Sequence, residues 1–224
     1  MRQRHKKHLE ERLEVCNALL VEWRTAALRF DAPDDGSERI DPAAVFGREA
    51  PLHLEIGCGK GAFLCEIAAR NPDVNFLAIE KDRNVLLDAA EAVKAAGLQN
   101  VRLTGADASY LGRFLPPHAV ERLYLNFSTP MPKARDACHR LTHARFLAIY
   151  DGLLTKDGDI WQKTDNRGFF EFSLEQFSQA GFALRNVSLD LHNSDFPDNI
   201  VTEYERKFSE QGFHIYRLEA YRRG

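Results

Sequence analysis

The chain has 224 residues, which is enough for one substantial hydrophobic core. Hydrophobic residues make up 44% of it and charged residues 28%, and no run approaches the roughly 20 apolar residues that a membrane helix needs. The basic start MRQRHKKH is not followed by the apolar core of a signal peptide. From these features we expect a cytoplasmic globular protein, neither membrane-spanning nor secreted.

Charge is distributed unevenly along the chain. The net charge is −3, yet residues 1–8 carry +4 and residues 133–145 carry +3, so the remainder carries −10. Two basic segments on an acidic body are typical of a protein that binds phosphates locally. The alternative is a solvated tail and a solvated helix, and the charge pattern alone does not decide between the two.

The first predicted element is a helix over residues 8–29, whose apolar residues include Leu9, Leu13, Cys16, Leu20 and Trp23. A polar, turn-rich linker over residues 31–42 follows it.

From residue 51 onward, predicted strands and helices alternate. The strands are 52–56, 74–80, 100–104, 120–127 and 157–164, and the helices are 61–70, 82–97, 143–154 and 166–181. Two further strands, 182–191 and 213–222, are separated by a loop and a short helix near 202–209. This alternation predicts an α/β fold with a parallel sheet covered by helices on both faces.

A glycine turn follows the first strand of the alternating region. In LHLEIGCGKG, Gly57, Gly59 and Gly61 come where a helix should begin, so that backbone N–H groups face a closely approaching ligand. Glu80 ends the next strand, 19 residues beyond Gly61, where an acid can accept both hydroxyls of a ribose. This spacing also satisfies the dinucleotide pattern, so the glycines alone do not separate a methyltransferase from a nicotinamide enzyme.

Two acidic residues favour S-adenosylmethionine as the cofactor. Glu55 directly precedes the glycine turn, where a carboxylate can meet the cationic methionine end but would repel a pyrophosphate. Asp107 follows the third strand of the alternating region and can accept from the adenine amino group. The structural alternative is a turn that serves close packing, with acids that cap helices.

The later segments resemble a known family. From FGREAPLHLEIGCGKG to TEYERKFSEQGFHIYRLEA, about residues 46–220, the sequence resembles the tRNA guanine-N7 methyltransferase family of the bacterial TrmB type. The segments that carry the resemblance are RLYLNFS, KTDNRGFFEFSL, LDLHNSDF and TEYERKF. The resemblance implies a doubly wound, Rossmann-like sheet of seven mostly parallel strands with an antiparallel last strand. It further implies methylation of a guanosine in the variable loop of tRNA.

The resemblance also implies the domain division, the partners and the site residues. Residues 1–45 would be a basic arm, a helix and a linker, and residues 46–224 the catalytic domain of a monomer or homodimer with tRNA as partner. Glu55, Glu80 and Asp107 would contact the cofactor. The implied substrate and tRNA contacts are Lys133, Arg135, Arg140, Asp165, Thr202, Glu203, Tyr204 and Glu205.

Two of these contacts have a structural alternative. TEYE is also a capping box, with Thr202 as the N-cap and Glu205 as its reciprocal partner, and both roles can coexist. Asp165 and Asn166 could likewise cap the helix that follows them.

One segment departs from the family pattern. The family has Phe-Ser-Asp-Pro-Trp-Pro-Lys-Lys-Arg after the fourth strand, whereas this chain has FSTPMPKAR, so Thr129 replaces the catalytic Asp and Met131 replaces Trp. Guanine N7 carries a lone pair and no proton, so the reaction needs alignment and stabilisation of positive charge and no general base. Losing one charge-stabilising group costs about 3 kcal/mol, or about a hundredfold in rate.

Three hypotheses follow from this departure. The first is an active but slowed enzyme in which Asp165 supplies the remaining carboxylate beside Thr129. The second is a catalytically silent relative that binds tRNA or cofactor. The third is a methyltransferase with another substrate.

No metal site is expected. His139 and His143 are spaced one helical turn apart, but no third ligand has suitable spacing. The four cysteines form no CxxC pattern and are expected to be reduced.

Overall fold

The computed structural model describes residues 6–22, 36–197 and 199–223, with only the backbone at residue 203. The helices are α1 Leu9–Val15, α2 Pro42–Phe46, α3 Ala62–Arg70, α4 Arg83–Ala95, α5 Leu111–Phe114, α6 Ala144–Leu153, α7 Arg167–Gln179 and α8 Glu203–Ser209. The strands are β1 Leu52–Ile56, β2 Asn75–Ile79, β3 Val101–Thr104, β4 Val120–Asn126, β5 Leu154–Thr164, β6 Ala183–Ser188 and β7 Tyr216–Tyr221.

The chain divides into two compact units, Met1–Pro116 and Pro117–Gly224. In the first unit the strand order is β3-β2-β1, and both pairs are parallel. In the second unit the order is β4-β5-β7-β6, with β4 and β5 parallel and β7 antiparallel to both of its neighbours. The predicted seven-stranded, mostly parallel sheet with an antiparallel last strand is confirmed.

The first unit is built on short, wholly buried strands. Every residue of β1 and of β2 is buried, as expected for parallel strands with helices on both faces. Helix α4 begins where the Asp82 carboxylate accepts from the N–H groups of Asn84 (2.9 Å) and Val85 (3.4 Å). This cap fixes the start of α4 directly after the end of β2.

The predicted continuous helix over residues 8–29 is wrong. Helix α1 ends at Val15, and Leu20 forms a parallel bridge with Leu103 of β3, where the Val21 N–H donates to the Leu103 carbonyl at 2.8 Å. Because β3 is the edge strand of this unit's sheet, its backbone groups compete with helix formation for this segment. Trp23, with residues 24–30, lies outside the described residues, as does the start of the linker.

A network of ion pairs joins the strands of the second unit. Asp159 on β5 accepts from Arg122 of β4 at 2.7 Å and from Arg185 of β6 at 2.7 Å. Arg185 also donates to Glu219 of β7 at 2.8 Å, and Arg217 pairs with the same carboxylate. Burial acts to raise the pKa of Glu219, but the hydrogen bonds from Arg185 and Arg217 outweigh it and hold this pKa below its usual value.

The two histidines that the sequence spaces one helical turn apart lie on different elements. His139 ends a 3₁₀ turn over Ala134–His139, whereas His143 is the N-cap of α6 and accepts from the Arg145 N–H at 3.2 Å. Their spacing in the sequence therefore does not correspond to one turn of a continuous helix. No helix within the described ranges is long and apolar enough to cross a membrane.

Candidate functional site

The glycine turn after β1 has the conformation that only glycine adopts without strain. Gly57, Gly59 and Gly61 have φ of 78°, 56° and 82°. A Cβ at Gly57 or Gly59 would meet no atom within 4 Å, so open space faces the turn. At Gly61 it would lie 3.2 Å from the Cα of Ala89, so glycine is needed for α3 to approach α4. The turn thus packs closely against α4 at Gly61 and leaves room for a ligand at Gly57 and Gly59.

Glu80 is joined to this turn. Its Oε2 accepts from the Gly59 N–H at 3.2 Å, and its Oε1 accepts from the Asp82 N–H at 2.9 Å. Burial raises the pKa of Glu80 above its ordinary value despite these bonds. The sequence placed Glu80 at the end of the second strand of the sheet, and the structure brings its carboxylate against the glycine turn.

The two other predicted cofactor acids lie on β1 and after β3, the two strands that flank β2 in the first unit. Glu55 is the buried fourth residue of β1, and Asp107 follows β3. Asp107 Oδ1 accepts from the Ser109 N–H at 2.9 Å and caps a 3₁₀ turn, while Oδ2 pairs with Lys81. Burial acts to raise the pKa of Asp107, but the bonds from Lys81 and Ser109 outweigh it and lower this pKa. Asp107 is therefore ionised at neutral pH.

In the second unit, the 127–133 loop follows β4 and carries Thr129. Phe127 and Met131 have φ of 50° and 44°, a left-handed conformation that is uncommon for residues other than glycine. The Phe127 N–H donates to the Lys163 carbonyl at 2.8 Å. Arg140 donates to the Met131 carbonyl from Nε at 3.2 Å and from Nη2 at 3.1 Å. The loop is anchored at both places, and Thr129 between them is exposed.

The predicted RNA contacts of the second unit differ in their surroundings. Lys133 and Arg135 are exposed, and the Arg135 side chain keeps 77% of its accessible surface. The guanidinium of Arg140 lies 4.4 Å from the centre of the Phe172 ring as well as against Met131. Counting charges along the sequence could not reveal these intramolecular partners of Arg140.

The TEYE segment starts α8. Thr202 is its N-cap and accepts from the Glu205 N–H at 3.0 Å, so this half of the capping box is confirmed. The reciprocal half is wrong, because the Glu205 carboxylate accepts from Lys163 and from Asn199. Nothing is described for the Glu203 side chain.

Asp165 is separate from the cap of α7. Asn166 is that cap and accepts from the Phe169 N–H at 2.8 Å, whereas Asp165 just before it is half-buried. Of the two neighbouring capping candidates in the sequence, Asn166 fills the role.

Tyr204 links α8 to the 127–133 loop. Its ring stacks on Phe208 with the centroids 4.3 Å apart and meets Phe127 of the 127–133 loop at 5.0 Å, while 46% of the residue stays exposed. Burial, and then the charge of Asp165, raises the pKa of Tyr204. The second unit thus gathers the loop that carries Thr129, Asp165 and the start of α8.

The N-terminal basic segment is described only in part. Arg2 and Arg4 lie outside the described residues. Lys6 donates from its backbone N–H to Asn84 at 2.9 Å, and its ammonium pairs with Asp88 of α4. Lys7 is exposed. The charge of Lys6 is therefore paired within the chain.

Comparisons with known proteins identify the family of this chain. A family model described as "Putative methyltransferase" matches residues 49–218. A tRNA (guanine-N(7)-)-methyltransferase of Geobacillus kaustophilus is 50% identical over 194 residues, covering 87% of this chain and 89% of the relative. The chain belongs to the tRNA (guanine-N(7)-)-methyltransferase family. A second member, from Listeria welshimeri, is 44% identical and covers 98% of both chains.

A solved structure shares the fold at much lower identity. It is an antibiotic-related methyltransferase with a TM-score of 0.59 and 14% identity, and the match covers 86% of this chain and 94% of that one. This likeness supports the methyltransferase fold, while membership of the family rests on the sequence relatives.

Sequence reasoning missed one residue of this site. Lys163 is the penultimate residue of β5 and lies within KTDNRG, in one of the segments that resemble the family, and its side chain is 7% exposed. A lysine in a strand with buried neighbours is a signal that could have identified it, since lysine is almost never buried without a partner.

Proposed function

We propose that this protein transfers the methyl group of S-adenosylmethionine to N7 of a guanosine in tRNA, at a position in the variable loop. The observation that carries the proposal is the 50% identity to the Geobacillus kaustophilus enzyme across 87% of this chain. The chain retains, in its two units, the acids and glycines expected for the cofactor and the polar groups expected for the substrate.

The first unit would bind the cofactor. When bound, S-adenosylmethionine supplies an electrophilic methyl group on a sulfonium. Glu55 would meet the cationic methionine end, Glu80 the ribose hydroxyls and Asp107 the adenine amino group. The open space before Gly57 and Gly59 supports this fit, because a side chain there would fill the cradle. The ionised state of Asp107 also supports it, since a carboxylate accepts hydrogen bonds through both oxygens.

The second unit would hold the guanine. N7 attacks with its own lone pair, so the protein is required to orient the base and to stabilise the positive charge that develops on it. Asp165 would supply negative charge for that purpose, and the exposed ring of Tyr204 offers a surface on which a base can stack. Thr129, in place of the family's Asp, would lower the rate without changing the reaction.

The tRNA backbone would be bound by exposed cations. Lys133 and Arg135 are solvent-accessible next to the loop that carries Thr129. Phosphate contacts of this kind supply sequence-independent affinity that falls with salt. The place of action would be the cytoplasm, where bacterial tRNA is modified.

Methyl transfer from labelled S-adenosylmethionine to unmodified tRNA, followed by nucleoside analysis, tests the proposal. The expected product is 7-methylguanosine, and Glu80→Ala is the matched control with weakened cofactor binding. A different methylated nucleoside would indicate another substrate. Bound tRNA and cofactor without any product would indicate a silent relative and contradict the proposal.

A further inference from the structure

Lys163 occupies a buried ionic cluster to which the proposed reaction assigns no role. We infer that Lys163 is the positioning residue for the substrate-binding segments, and that Glu205 acts as its counter-ion and does not contact the guanine. The inference rests on the proposed function and concerns only the second unit.

The ammonium of Lys163 is fully engaged. It donates to the Glu205 carboxylate at 2.7 Å, to the Ile200 carbonyl at 2.9 Å and to Asn199 Oδ1 at 3.1 Å. An ammonium group has three N–H donors, so these three acceptors match its capacity. A buried lysine whose three donors are all satisfied is suited to hold together the segments that supply its acceptors.

Both oxygens of the Glu205 carboxylate also have partners within the chain. Its side chain has no exposed surface, and its second oxygen accepts from Asn199 Nδ2 at 2.6 Å and lies 3.2 Å from His192 Nε2. A guanine could reach this carboxylate only if the cluster opened. Glu205 therefore fits the role of an internal partner better than that of the substrate ligand implied by TEYE.

The cluster joins all three segments of the proposed guanine site. Lys163 itself lies two residues before Asp165, and its carbonyl accepts from Phe127, two residues before Thr129. Its ammonium also lies 5.8 Å from the Phe127 ring. Through Ile200 and Glu205 it holds the approach to α8 and the first turn of α8, which carries Tyr204. Removing the cation should therefore displace several substrate contacts at once.

A double-mutant cycle separates a counter-ion from a substrate ligand. The variants are Lys163→Met, Glu205→Leu and the double change, and each is measured for single-turnover methylation at saturating tRNA and for thermal unfolding. We expect Lys163→Met to slow methylation at least tenfold, because it leaves a buried carboxylate without its cation. In that background Glu205→Leu should restore part of the rate, because it removes the uncompensated charge.

A substrate ligand would behave differently. If Glu205 bonds the guanine, Glu205→Leu would slow methylation in the Lys163→Met background as much as in the wild type, and that result would overturn the inference. Should Lys163→Met fail to fold, the pair Lys163→Gln and Lys163→Gln/Glu205→Gln makes the same comparison with polar side chains. An inactive wild type would contradict the proposed function instead, so the two failures are distinguishable.

A buried ion pair outside the Lys163 cluster supplies the stability control. Arg217 and Glu219 on β7 each keep 3% of their side-chain surface. Glu219→Gln should lower the melting temperature while the single-turnover rate, measured well below that temperature, stays within twofold. A rate loss in Glu219→Gln as large as that in Lys163→Met would show that the loss reflects general destabilisation, and it would refute a positioning role.

Discussion

Replacing Thr129 by aspartate tests how the departure from the family pattern affects the rate. Thr129 is exposed on a loop whose backbone is anchored at Phe127 and at Met131, so a new carboxylate would extend from a fixed position without being buried. An exposed substitution of this kind changes stability by no more than about 0.5 kcal/mol. One added charge-stabilising group contributes about 3 kcal/mol to the transition state, so Thr129→Asp should accelerate methylation by up to about a hundredfold.

The assay is single-turnover methylation of one unmodified tRNA by four variants: the wild type, Thr129→Asp, Met131→Trp and the double change. Thr129→Asn is the matched control, because it has the shape of aspartate without the charge and should give no acceleration. If Met131 is the larger defect, Thr129→Asp alone should have little effect, and the double change should exceed the sum of the single free-energy effects. A wild-type rate equal to that of the Geobacillus kaustophilus relative, with Thr129→Asp neutral, would refute the reasoning.

Four further variants test other parts of the account. Glu80→Gln should weaken S-adenosylmethionine binding by about 1–3 kcal/mol in calorimetry. Because burial raises the pKa of Glu80, wild-type affinity should also fall on acidification at a higher pH than for an ordinary glutamate, and a flat profile would contradict this. Arg135→Ala should reduce the salt dependence of tRNA binding by about one unit of slope. Arg140→Ala should mainly slow methylation, because Arg140 holds the Met131 carbonyl. Equal changes in the salt slope for the two variants would contradict this difference in role. Gly61→Ala should lower the unfolding free energy by more than about 1 kcal/mol, since φ is positive and Ala89 leaves no room, and an unchanged melting temperature would contradict this.

The regular part of the fold was predictable from the sequence. The buried strands read as short apolar runs and the helices as segments of period 3.6, so β1 matched its prediction and most other boundaries fell within one or two residues. Strand β5 starts earlier than predicted, at Leu154, because the chain passes from α6 into the strand without a loop. The antiparallel last strand followed only from the family resemblance.

Competition between local and tertiary contacts explains what the sequence did not reveal. The pattern over residues 8–29 is helical, but the free edge of β3 offers Val21 a backbone partner that periodicity cannot represent. Charge counting likewise could not reveal the partners of Arg140, because a carbonyl and an aromatic ring on distant residues leave no trace in local composition. The S/T-x-x-E spacing predicted that Thr202 caps α8. It did not predict that the Glu205 carboxylate would pair with the buried Lys163.

The position of the methyl group tests the central claim most directly. 7-Methylguanosine makes the RNA chain cleavable by borohydride reduction followed by aniline, so one unmodified tRNA can be mapped before and after incubation with the protein and S-adenosylmethionine. The account predicts a new cleavage at a single guanosine in the variable loop, absent when the cofactor is omitted. Cleavage elsewhere in the tRNA, or methyl incorporation without any new cleavage, would contradict it.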